Sequence, residues 1–293
     1  MLTIFSIPKA FKGHIGVIQR NALKSWTLLR PRPEVILLGD DEGVAEAAQE
    51  AGVRHFAGVA KNEYGTPLFN DMFRQAELAA TSDLMCYVNA DIILTSDLCK
   101  AIEMVLRNRA HFLLVSRRIN LNITQPIDFS SGWESAVLEQ SRSEGIFGDA
   151  TNIDIFVFKK GAYPRVPPFG LGRLWFDHWL IKAALDADLP VIDATLVAPV
   201  LHQNHDYNHV PGGAQWVWQG KEAETNFKLY GGGRYSCTIS SATHDLLPDG
   251  GLRRVFFREQ RGALKRFLWE IFVRRTHSLR SRLHLSRTPV RNS

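Results

Sequence analysis

Leu84-Met85-Cys86-Tyr87-Val88-Asn89-Ala90-Asp91-Ile92-Ile93-Leu94 decides how this chain is read. An apolar run closes in Asn-Ala-Asp, and a second apolar run follows it. A polar pair at the end of a buried strand is costly unless it is hydrogen-bonded or bound to something. A carboxylate at Asp91 has the chemistry to ligate a hard cation, and such a cation can hold a diphosphate.

Outward from this strand the chain alternates. Residues 3–7 read as a first strand. Ile15, Ile18, Ala22, Trp26 and Leu29, at spacings of three and four, mark a helix. Residues 34–39 form a second buried strand that ends in Asp40-Asp41. A helix over 44–51 and a short strand over 54–59 come next. Pro67 is placed to open a helix through residue 80. After Asp91, Ser96 or Asp97 can cap a helix to about residue 107. Residues 111–116 read as another strand. Strands alternating with helices imply an α/β fold with a doubly wound, mostly parallel sheet. Ligands of such sheets sit outside the carboxyl ends of the strands, where both Asp40-Asp41 and Asn89-Ala90-Asp91 fall.

The second half is less regular. Residues 153–158 form a strand flanked by Asp149, Asn152 and Asp154, which are either turn residues or part of a binding edge. Residues 175–187 form a helix whose apolar face includes Phe176, Trp179, Leu180 and Ala183. Residues 190–194 read as a strand, and the polar cluster His202-Gln203-Asn204-His205-Asp206-Tyr207 comes soon after.

Bulk properties set the class. The 293 residues suffice for one large α/β domain or two small ones, and 45% hydrophobic with 22% charged residues is ordinary for a globular protein. Cys86, Cys99 and Cys237 have no paired or metal-ligand spacing, so a reduced, cytoplasmic setting is expected. The first residues lack the basic segment and long apolar stretch of a signal peptide. The net charge of +5 is uneven. From Gly250 onward, 12 Lys and Arg face only Glu259 and Glu270, a balance of +10 that leaves −5 for the remainder. Residues 1–249 are therefore expected to form the globular α/β domain, and 250–293 a basic amphipathic extension. Its arginines interleave with Phe256, Phe257, Phe267, Leu268, Trp269 and Phe272. That pattern suits an anionic membrane surface, at the inner face of the cytoplasmic membrane, or a helix packed on the body. Nucleic acid is the less favoured partner.

Several chemistries are excluded by missing motifs. No G-x-G-x-x-G lies between the first strand and helix, and G-x-x-x-x-G-K-[ST] and G-x-S-x-G are absent. The remaining constellation is an acidic pair after the second strand, Asn-Ala-Asp after a later one, and a histidine-rich cluster about a hundred positions on. Over roughly residues 1–230 this resembles the GT-A glycosyltransferases, in particular bacterial family 2-like enzymes that use nucleotide-diphospho-sugars. The chain departs from the usual D-x-D at Asn89.

The resemblance implies a set of roles. Pro8 and Lys9 would border the nucleotide, and Asp40 or Asp41 would accept hydrogen bonds from its base or ribose. Asn89 would face the ribose or a metal-bound water. Asp91 would ligate Mg²⁺ or Mn²⁺, with His202 or His205 completing the shell. Asp177, at the start of a helix, would be the general base that takes the acceptor hydroxyl's proton, giving inversion. Arg173 would bind donor phosphate, Asp154 would lie on the acceptor side, and Trp175 or Trp179 would stack on a sugar ring or else fill the core. The partners implied are a nucleotide-diphospho-sugar and a glycan or lipid-linked glycan acceptor, in surface polysaccharide or glycolipid assembly. Two other readings stay open. A sugar-1-phosphate nucleotidyltransferase has a similar sheet, although its glycine-rich first loop is missing from residues 6–11. A non-catalytic carbohydrate- or membrane-binding module is favoured only by Asn89.

Overall fold

The computed structural model describes residues 1–205, 218–232 and 236–255. The basic extension expected over 250–293 lies almost wholly outside the described residues. Contacts divide the chain into a unit of Met1–Arg254 and a second of Val255–Ser293, and the first is described here.

The first half of the chain alternates as expected. It runs β1 (Leu2–Ser6), α1 (Gly13–Leu28), β2 (Glu34–Leu38), α2 (Val44–Ala51), β3 (Arg54–Phe56), α3 (Phe69–Ala79), β4 (Leu84–Val88), β5 (Ile92–Ile93), α4 (Ser96–Leu106) and β6 (Leu113–Leu121). The second half contributes α5 (Trp133–Glu144), β7 (Ile146–Phe147), β8 (Ile153–Lys159), α6 (Phe176–Asp186), β9 (Val191–Asp193), β10 (Val200–Gln203), α7 (Lys221–Tyr230), β11 (His244–Leu246) and β12 (Leu252–Arg254).

Local packing moves several boundaries. Pro67 bridges Lys61 instead of opening α3, and the helix begins where the Phe69 amide donates to the Phe169 carbonyl. Neither Ser96 nor Asp97 caps α4. Thr95 holds the cap position, and the Ser96 hydroxyl donates to Glu134 at 2.6 Å. β3 stops at Phe56, whereas β6 runs five residues beyond Ser116.

The main sheet has the order β12-β11-β9-β6-β8-β4-β1-β2-β3. It is doubly wound and mostly parallel, as the alternation predicted. β8 is antiparallel to both β4 and β6, and β12 to β11. One face packs on α1, α2 and α4 through Trp26, Ala47, Leu98 and Ala101, all buried. The other packs on α3 and α6 through an aromatic layer in which Phe73 stacks on Phe158 at 5.2 Å. Two features position the site. First, because β8 runs backwards, its first residues lie beside the carboxyl end of β4, with Val88 opposite Ile155. Second, the extension of β6 builds a small sheet, β5-β10-β6-β7, across that edge. No helix among the described residues is long and apolar enough to cross a membrane.

Candidate active site

The turn between β4 and β5 is fixed from beneath by α1. Trp26 donates its indole N–H to the Ile92 carbonyl at 2.8 Å, and the Ser25 hydroxyl accepts from the Leu94 amide at 3.1 Å. Gln203, fully buried on β10, donates to the carbonyls of Asp91 (2.9 Å) and Ile18 (2.7 Å) and accepts from Asn21 (2.9 Å). The antiparallel pairing of β10 with β5 sets His202 opposite Ile92. These restraints bring Asp91 together with two histidines that lie more than a hundred residues further along the chain. The Asp91 Oδ2 is 3.4 Å from His202 Nε2 and 2.9 Å from His205 Nε2.

Asp91, His202 and His205 each offer a ligand atom, and these atoms lie within 4.8 Å of one another. Burial alone would push the Asp91 carboxyl up. The two imidazoles overcome that and hold its pKa well below the usual carboxylate range. Asp91 Oδ1 and His202 Nδ1 are buried without a hydrogen-bond partner among the described residues. Buried polar atoms are normally satisfied, so these two are open to an ion or a water. One carboxylate with two imidazoles fits a divalent transition ion such as Mn²⁺ better than Mg²⁺, which favours an all-oxygen shell.

Asn89 does not face this centre with a free amide. Its Oδ1 accepts from the Tyr87 hydroxyl at 3.0 Å, and its Nδ2 donates to Asp154 Oδ1 at 2.7 Å. Asp154 also pairs with Arg118 at 3.2 Å. Asn89 is therefore a bridge inside the protein. Asn89→Asp is expected to destabilise the fold by about 1–3 kcal/mol, because it exchanges the donor to the buried Asp154 for a second carboxylate against it. Thermal melts would show a lower Tm, with no gain in Mn²⁺ affinity.

Asp177 occupies the first turn of α6, as expected. Its pKa is raised by burial and by Asp154, against the opposing pull of His178. Tyr87 ties the group together. Burial raises its pKa, and Asp154, Asp177 and Asp91 push the same way. The residue before the helix, Trp175, has φ 89°, a left-handed backbone that a bulky side chain seldom adopts. Its ring contacts Phe227 and Tyr230 at centroid distances of 4.8 and 5.2 Å, which hold the strained residue and fix where α6 begins. Trp175 thus packs against α7. Trp179 packs against Tyr163 and Phe169 in the aromatic layer.

On the nucleotide side, Pro8 is buried and Lys9 half-buried. Burial lowers the Lys9 pKa, with Asp91 and Asp41 opposing and Arg173 adding to the effect. The ammonium makes no ion pair among the described residues. Asp40 pairs with Lys61 at 2.6 Å, which lowers its pKa, and Asp41 is exposed at the start of α2. Arg173 is not a free phosphate ligand. It pairs with the buried Glu222 at 2.7 Å and donates to Thr66.

No family model matches this chain, and no curated protein matches it. Solved structures similar to it include a Staphylococcus aureus TarS fragment in complex with UDP-GlcNAc, at 12% identity and TM-score 0.45, covering 71% of this chain and 60% of that one. A longer TarS chain is covered over 36% of its length. Mycobacterium tuberculosis glucosyl-3-phosphoglycerate synthase in complex with Mg²⁺ and UDP is similar at 12% identity and TM-score 0.44, covering 71% and 73%. A Leptospira borgpetersenii cytidylyltransferase is similar at 16% identity and TM-score 0.40, covering 66% and 75%. At these values the likenesses do not assign the chain a function. The chain's own sheet is doubly wound and mostly parallel, with helices packed on both faces.

Proposed function

We propose that the protein is an inverting glycosyltransferase that moves a sugar from a nucleotide-diphospho-sugar to a hydroxyl acceptor. The observation that carries this reading is a pair of carboxylates, both electrostatically coupled to Tyr87, whose environments drive them apart. Asp91 is held ionised by two histidines, and Asp177 is pushed towards a higher pKa. Such divergence separates a charge-binding group from an acid–base group.

Asp91, His202 and His205 would hold a divalent cation, which supplies charge neutralisation for the donor diphosphate. Lys9, a cation near Asp91 that makes no ion pair among the described residues, suits the same phosphates. Asp177 takes the proton of the acceptor hydroxyl. The acceptor oxygen forms a bond to the anomeric carbon as the bond from that carbon to the diphosphate oxygen breaks. The electron pair leaves with the nucleoside diphosphate. Asp41, exposed at the carboxyl edge, suits the nucleoside.

Calorimetric titration of a nucleotide-diphospho-sugar panel, with and without Mn²⁺, tests the reading. At least one donor is expected to bind, and more tightly with metal. A panel that gives no binding in either condition rejects it. Pyrophosphate release from a nucleoside triphosphate and a sugar phosphate would instead support nucleotidyl transfer.

A further inference from the structure

Beside the metal-ligating residues, the small sheet presents a row that the proposed reaction does not use. Strand register sets His202 opposite Asn120, and Asn120 opposite Ile146. Paired residues share a face of a sheet, and so do residues two apart on one strand, so Arg118 joins this face. Three polar atoms here are buried and unpartnered among the described residues: Arg118 Nε, Asn120 Oδ1 and His202 Nδ1. The Asn120 side chain makes no hydrogen bond among them. Ile146, at the outer end of the row, is 71% exposed.

Arg118 is held in place. Its guanidinium pairs with Asp154, and its stem lies where a Cβ on Gly148 would meet it at 3.0 Å. A ligand that met this set would both accept, from Arg118, and donate, to Asn120. An anion can only accept and an ammonium can only donate, but a hydroxyl does both. A sugar ring offers several hydroxyls around its edge and apolar C–H groups, which suit Ile146.

We propose that Arg118 and Asn120, with Ile146 as an outer lip, form a carbohydrate subsite beside the metal centre. This rests on the transferase reading above. The ring is that of the donor or of the acceptor, and one experiment separates the two.

With Mn²⁺ present, the wild-type protein, Asn120→Ala and Ile146→Ser are titrated with a nucleotide-sugar that binds the wild type and with the matching nucleoside diphosphate. The acceptor KM is measured in parallel. Loss of one neutral hydrogen bond predicts an effect of about 3- to 10-fold for Asn120→Ala. A donor ring is shown by weaker nucleotide-sugar binding with unchanged nucleoside diphosphate binding. An acceptor ring is shown by unchanged binding of both nucleotides with a raised acceptor KM. Ile146→Ser is expected to move the same quantity by about 2- to 5-fold. The Asn120 side chain makes no hydrogen bond among the described residues and Ile146 is 71% exposed, so both variants are expected to keep the wild-type Tm. If Asn120→Ala fails to fold, Ile146→Ser alone decides. Unchanged values for all three ligands, or an equal loss for the nucleoside diphosphate, overturn the subsite while leaving the transferase reading intact. A wild-type protein that binds no nucleotide-sugar overturns both.

Discussion

Asp177→Asn is expected to lower kcat by about 10²- to 10⁴-fold, the usual contribution of a positioned general base. Donor affinity should stay within about twofold, because the amide keeps the shape of the carboxylate and the proposed role of Asp177 is confined to the acceptor proton. The wild-type pH profile carries a second sign of the same role. Only the ionised carboxylate can take a proton, and burial raises the Asp177 pKa. The acid limb of kcat should therefore lie above the ordinary value of 3.8, with activity rising as pH increases through it. Stability has the opposite slope. Between the unfolded pKa and the raised folded pKa, the native state keeps a proton that the unfolded chain has released. The contribution of Asp177 to stability thus falls as pH rises through that window and stays low above it. The neutral amide carries no such cost, so Asp177→Asn should melt at or above the wild-type Tm at neutral pH. A variant with near-normal kcat would remove Asp177 from the mechanism, and a strongly lowered Tm would mark it as structural.

Asp91→Asn should weaken Mn²⁺ binding by at least about 100-fold, since even residues that only orient metal ligands cost 10- to 100-fold. The amide leaves His202 and His205 in place but removes the charge that balances both the ion and the imidazoles. Electron paramagnetic titration of free Mn²⁺ measures this directly, without any need for turnover. His202→Ala is expected to weaken binding in the same direction, because its Nε2 lies 3.4 Å from the shared carboxylate oxygen. Unchanged affinity in both variants would show that the three residues form an ion pair network and not a metal centre. Donor binding should then fall in parallel with metal affinity, which distinguishes Asp91 from Asp177.

The first half of the fold was readable in the sequence because its strands are apolar runs separated by clear helical periods. Val44–Ala51 matches the expected range at both ends. The second half was less readable for a physical reason: several of its strands bury polar side chains that fold-specific partners satisfy. Gln203 is fully buried yet strongly polar, and its acceptors on Ile18 and Asp91 come from distant parts of the chain. Arg118 and Asn120 sit in a strand whose apolar run had already ended, so the expected strand stopped at residue 116 and β6 continued to Leu121. At the site, Asp91, His202 and His205 were all expected, and the structure brings their side chains together. The roles of Asn89 and Arg173 look different in three dimensions. Each had a partner, Asp154 or Glu222, 65 or 49 positions away that no local pattern could reveal.

The span between the ligands has a consequence for how the protein is made. Asp91 and His205 are separated by 114 positions, and His202 reaches Asp91 only after β6, β8 and β10 have been laid down. A nascent chain that stops before Val200 holds Asp91 but neither imidazole. Contacts of such long range form late, because the intervening chain must be ordered first. Under the proposed metal role, ion capture would require the chain to be ordered through His205. An ion bound there would stabilise only chains in which β10 has docked beside Asp91, so loading the centre would report that the chain has been made and folded at least as far as His205.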